Sequence, residues 1–131
     1  MNEKHNDATR NRPEGVRLID AQSLVIDLPT YIRQIRDENA WEKNDRNSIT
    51  VFKNADMTMV LGALRVNAEM IPHTAEATMT IQVLEGGLEV HTDGMNARLW
   101  QGNVIAIHRG CTYNVLAIEE TLYLLTITAV K

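Results

Sequence analysis

From residue 49 onward the chain alternates. In Thr78-Met79-Thr80-Ile81-Gln82-Val83 every second side chain is apolar, the two-residue period of a strand with one buried face. "ITVFK", "MTMVLGALRV", "LEVHT", "NARLW", "NVIAIH", "YNVLAI" and "LYLLTITAV" continue the series. Gly86-Gly87 ends the 78–84 segment, and Asp93-Gly94 supplies a two-residue hairpin turn. About eight short strands at close spacing, with no βαβ alternation, predict an all-β sandwich or barrel.

Before residue 48 the period is different. Leu28, Ile32 and Ile35 recur at helical spacing. Asp27 stands where a helix N-cap belongs, and Pro29 is tolerated in a first turn. These residues predict one N-terminal helix over about 28–39. Residues 16–27, "VRLIDAQSLVID", read as a short strand or extended arm. The first fifteen residues are polar and charged, with Pro13 and Gly15 near their end, and read as a flexible tail. The expected organisation is a tail over 1–15, an arm and helix over 16–47, and a barrel domain over 48–131.

Composition narrows the function classes. A chain of 131 residues, 44% hydrophobic, suits one domain with a real core. The net charge is -4, with Lys and Arg scattered, so a nucleic-acid partner, which needs a concentrated basic patch, is not expected. Cys111 is the single cysteine, which excludes an intrachain disulfide and a cysteine metal cluster. No signal-peptide pattern and no membrane-length apolar run are present, so a cytoplasmic protein without membrane partners is expected.

The span from Asn67 to Ala117 resembles the cupin superfamily of small jelly-roll barrels. Their first motif, G-x5-H-x-H-x3-E-x6-G, falls on this chain with Asn67 at the leading glycine, His73 at the first histidine and Gly86 at the last glycine. Asparagine is the residue best able to replace a glycine at positive φ. The second motif, G-x5-P-x-G-x2-H-x3-N, finds Gly102 and Gly110 in place. The segment "AWEKNDRNSITVFK", followed by "MVLGAL", "AEM", "HTA" and "IQVLEGG", is further similar to a group of small bacterial cupins, over about residues 40–126. The resemblance implies a cupin-type jelly-roll β-barrel with one N-terminal helix.

The metal ligands depart from both motifs. Ala75 stands at the second histidine, Met79 at the glutamate and Tyr113 at the histidine of the second motif. His108 and Ala117 replace the proline and asparagine of that motif. A catalytic metal needs about three nitrogen or oxygen donors, so no metal and no cofactor is expected. If the motifs align, His73 and Tyr113 meet in the barrel lumen, sharing it with Met79, Ile81, Val83 and Val115 as ligand-contacting residues.

Three readings follow. The first is a metal-free cupin that binds a small apolar or amphipathic molecule, contacting His73, Met79, Ile81, Val83, Tyr113 and Val115. The second is an enzyme. It would be a metal-independent isomerase or epimerase with His73 as base and Tyr113 as acid, or a metal-dependent oxidase with an unorthodox site. Sugar-nucleotide epimerases of the superfamily use such a pair, with an aspartate orienting the histidine. The third is an interaction module whose barrel is filled. His91 and His108 read as rim or surface, Trp41 and Trp100 as anchors of the core, and Cys111 as an ordinary buried thiol. Asp45 and Arg46 are adjacent and read as a local ion pair. The apolar arm at 16–27 predicts a homodimer, formed by adding to a neighbour's sheet edge.

Overall fold

The computed structural model describes residues 4–6 and 17–129. Two short strands open it, β1 (Lys4–Asn6) and β2 (Arg17–Asp20), paired antiparallel with each other. The rest of the expected 1–15 tail lies outside the described residues. Part of the 16–27 arm thus finds its partner within the same chain.

Two helices follow, α1 (Leu28–Asp37) and α2 (Asn39–Lys43), where the sequence predicts one. The start is as expected: Asp27 accepts from the Thr30 amide at 3.3 Å and from its hydroxyl at 2.8 Å. The break is at Glu38, whose backbone is extended at φ −78°, ψ 149°. Asn47 holds it there. Its side-chain amide donates to the Ile35 carbonyl at 2.8 Å and to the Glu38 carboxylate at 2.9 Å. An unsatisfied carbonyl at the end of α1 is paired in this way, and the chain is redirected. α2 then places Trp41, 7% exposed, against the sheet, with the Arg65 guanidinium 4.0 Å from its ring centroid.

Nine strands form two sheets. β3 (Arg46–Lys53), β4 (Met57–Leu64), β6 (Met79–Glu85), β9 (Val104–Ile107) and β11 (Thr121–Thr128) make one, in the order β3-β4-β11-β6-β9. β5 (Glu69–Thr74), β7 (Gly87–Thr92), β8 (Asn96–Trp100) and β10 (Thr112–Ala117) make the other, in the order β5-β10-β7-β8. The inner faces meet in one core that includes Met79, Ile81, Val83 and Ile105 from the first sheet and Leu88, Val90 and Val115 from the second. Each such side chain, fully buried, contributes about 1.5–3 kcal/mol.

A second apolar cluster lies on the far side of β3, β4 and β11, where Ile35 and Trp41 cover Ile49, Val51, Leu61 and Leu122. β4 is therefore buried on both faces near its end, and "LGAL" loses the alternation seen elsewhere. Gly62 has a specific reason to be glycine. The Tyr123 ring lies where its Cβ would stand. Asp93-Gly94 form the expected turn, closed by the Thr92 amide donating to the Met95 carbonyl at 2.8 Å. Among the described residues no helix is long and apolar enough to cross a membrane.

Candidate functional site

β5 is the strand that the sequence pattern leaves out, and it carries His73. It is an edge strand paired only with β10 in its sheet. Tyr113 is paired with His73 and Val115 with Met70, so β5 has one residue more than β10 across this step. The extra residue falls at Ile71-Pro72. Proline lacks a ladder donor and is confined to edges and bulges, and this position is both. The bulge lets Met70 and His73, three residues apart, share the inward face. The His73 and Tyr113 ring centroids are 6.1 Å apart with planes tilted by 38°.

These rings stand at the mouth of a cavity of about 290 Å³ at one end of the barrel. His73, Thr74 and Tyr113 form one wall. Ala75, Glu76 and Ala77, from the loop after β5, form a second. Met79 and Ile127, paired across β6 and β11, supply the apolar floor. Hydrogen bonds lace the loops here: the Ala75 amide donates to the Cys111 carbonyl at 2.9 Å, and the Gly110 amide to the Ala75 carbonyl at 2.8 Å.

The backbone positions of both cupin motifs are as the alignment requires. Asn67 has φ 71°, Gly86 φ 92°, Gly102 φ 90° and Gly110 φ 90°. Asn67 is the only non-glycine among the described residues at positive φ, and it stands where the first motif opens. The four ligand positions, His73, Ala75, Met79 and Tyr113, all line the one cavity.

Their chemistry does not fit a metal. His73 offers an imidazole nitrogen, Ala75 a methyl group and Met79 a thioether, a poor donor for hard divalent ions. Burial pushes the Tyr113 phenol above its ordinary value, which disfavours the phenolate a metal would need. Among the described residues no three His, Cys, Asp or Glu side chains converge as a donor set.

The expected lumen needs two corrections. His73 is exposed, at the rim, because an edge strand leaves one flank open to water. Ile81, Val83 and Val115 do not line the cavity. They are 3%, 0% and 0% exposed, within the core below it. Tyr123 occupies the interior against Gly62, and burial raises its phenol to about 12. Met79 remains as floor and Tyr113 as wall.

Four cavity residues carry no motif signal: Thr74, Glu76, Ala77 and Ile127. Ile127 is visible only through the strand register that pairs it with Met79. Glu76 sits between motif positions, and its carboxylate makes no hydrogen bond to the His73 ring. Elsewhere, the Asp45–Arg46 ion pair forms at 2.9 Å, and Arg46 also donates to the Glu69 carbonyl, tying β3 to β5. His91 lies within β7, on the outer face, against Glu89 at 3.1 Å and Asn96 at 2.7 Å. His108 is exposed in the turn after β9, and Cys111 is half-buried near the cavity loops. Trp100 rests its ring on Gly87 yet is 43% exposed, so only part of it acts as an anchor.

Neither a protein-family model nor a curated relative matches the chain by sequence. Solved structures do match in shape. A conserved protein of unknown function from Streptococcus pyogenes is similar with a TM-score of 0.67 at 19% identity, over 86% of this chain and 92% of that one. A cupin superfamily protein from Desulfitobacterium hafniense gives 0.66 at 9% identity, over 85% of this chain and 94% of that one. KdgF from a Halomonas species gives 0.61 at 21% identity, over 66% of this chain and 81% of that one. With the motif turns in place and these likenesses covering 66% to 86% of the chain, the protein has a small cupin-type fold.

Proposed function

We propose that the protein binds a small amphipathic molecule in the 290 Å³ cavity without a metal ion. One observation carries this reading. The four positions that cupin motifs give to metal ligands surround a single cavity, and here they present an imidazole, a methyl, a thioether and a phenol. Such a wall is apolar with a few polar groups at the mouth, the composition of a small-molecule pocket. The metal-independent isomerase reading is less favoured. His73 would need an orienting partner, and among the described residues no carboxylate bonds its ring.

The test has two parts. Elemental analysis of the purified chain is expected to give far less than one transition metal per chain. Titration with hexanol, followed by methyl NMR, is expected to shift the Met79 and Ile127 signals together, and Met79→Trp to abolish the shift by filling the floor. A full equivalent of bound metal, or methyl signals indifferent to hexanol, would overturn the reading.

A further inference from the structure

The charge in the cavity wall has one sign. Among the described residues Glu76 is the only formally charged side chain there, and no lysine or arginine joins it. It makes no ion pair with any described residue, so its carboxylate is not already neutralised. Two π systems, Tyr113 and His73, bound the same mouth at 6.1 Å. Among the described residues, Lys53, Asp56, Glu76, Asp93 and Arg109 are the charged ones in the turns and loops at this end of the barrel. Of these, Asp93 is engaged with the Thr112 amide at 3.1 Å, and neither cation reaches the cavity wall.

An apolar floor, an electron-rich ring and an unpaired carboxylate together make a receptor for a positive head on a short apolar tail. An aromatic face attracts a cation through its quadrupole. A carboxylate adds Coulomb attraction, modest at an exposed rim and opposite in sign for an anion. The apolar floor of Met79 and Ile127 takes the tail, by loss of contact with water. Resting on the cavity reading above, we infer that this cavity selects small cationic amphipaths, aliphatic ammonium ions, over neutral and anionic molecules of the same shape.

Three probes of one length decide it: hexylammonium, hexanol and hexanoate, each titrated into the full chain and read on the Met79 and Ile127 methyl signals. Hexylammonium is expected to bind about tenfold tighter than hexanoate, with hexanol between them. Glu76→Gln is expected to cut that ratio to about threefold or less. Glu119→Gln removes the same charge from the opposite end of the barrel and is expected to leave the ratio in place. Hexanol and hexanoate binding as well as hexylammonium would overturn the inference while leaving the cavity reading intact. A ratio that falls equally in both variants would overturn it too, by assigning the preference to net charge. Failure of all three probes would overturn the cavity reading and this inference with it.

Discussion

The two ends of the barrel use the same strands and finish them differently. At the closed end Thr121 is fully buried, and its hydroxyl accepts from the Gly87 amide at 3.1 Å and lies 2.9 Å from the Gly87 carbonyl. Gly86, at φ 92°, turns the chain there in a space no side chain could share. Tyr123 fills the interior against Gly62. At the open end Thr74 and Thr112 are exposed, and their hydroxyls meet each other at 3.3 Å. The motif's turns stand at both ends: three at the closed one and Gly110 at the open one. The positions that the motifs give to metal ligands cluster at the open end, where they carry His73, Ala75, Met79 and Tyr113. The turns of the motifs thus keep their backbone here beside a cavity whose side chains include a methyl and a thioether.

The largest expected effect tests that contrast. Ala75→His, Met79→Glu and Tyr113→His together would join His73 in a four-donor set on an unchanged backbone. The triple variant is expected to take up about one divalent ion per chain in elemental analysis. Ala75 and Met79 are 4% and 5% exposed, so the new polar groups are buried and the metal-free variant is expected to melt well below the parent chain. Added zinc is expected to recover that loss. A variant that folds but ignores metal would show that the cavity end, unlike the closed end, has left the motif's geometry.

Legibility divides along the same line. Strands with one buried face show their period, as β6 does through Met79, Ile81 and Val83. β5 does not, because an edge strand with five of its six residues exposed or bulged has no apolar row to display, and Pro72 argues against a strand at all. The motif spacing located His73 despite this, since glycine turns fix the count between strands. What spacing could not give was depth. Ile81 and Val83 share the face of Met79 but lie deeper, in an interior that Tyr123 fills, and Tyr123 fits there only because its partner on the neighbouring strand is Gly62. The break between α1 and α2 was hidden for a similar reason. It depends on Asn47, a residue of β3 that reaches back to Ile35 and Glu38.

Two substitutions sharpen the comparison at the closed end. Gly62→Ala places a Cβ inside the Tyr123 ring and is expected to cost about 1–3 kcal/mol in chemical denaturation. An effect below that range would mean that the interior is less filled than the contact implies. Thr121→Val keeps the shape but strands the Gly87 amide, at about 1–3 kcal/mol. Thr74→Val, the same change at the open end, removes one exposed bond and is expected to stay within about 0.5 kcal/mol. Equal costs for the two threonine variants would erase the distinction between the ends.

The smallest effect is silent at neutral pH and appears only in alkali. Burial raises both interior phenols, and the closed-end one further: Tyr123 reaches about 12, while Tyr113, nearer water, is raised less. A buried phenol resists ionisation because the phenolate loses its hydration and Tyr123 has no compensating donor strong enough to reverse this. Arg46 acts in the opposite sense and only partly offsets the burial. The folded pKa thus lies above the unfolded value of 10.0, so the folded chain holds the proton more tightly. The associated stability is fully present below pH 10 and is lost as pH rises toward about 12. Tyrosinate absorbance measured against pH should show the Tyr113 step, identified by its absence in Tyr113→Phe, before the Tyr123 step. The Tyr123 step should coincide with unfolding followed by circular dichroism. Tyr123 ionising first, or without loss of structure, would place water at the closed end and make the two ends alike.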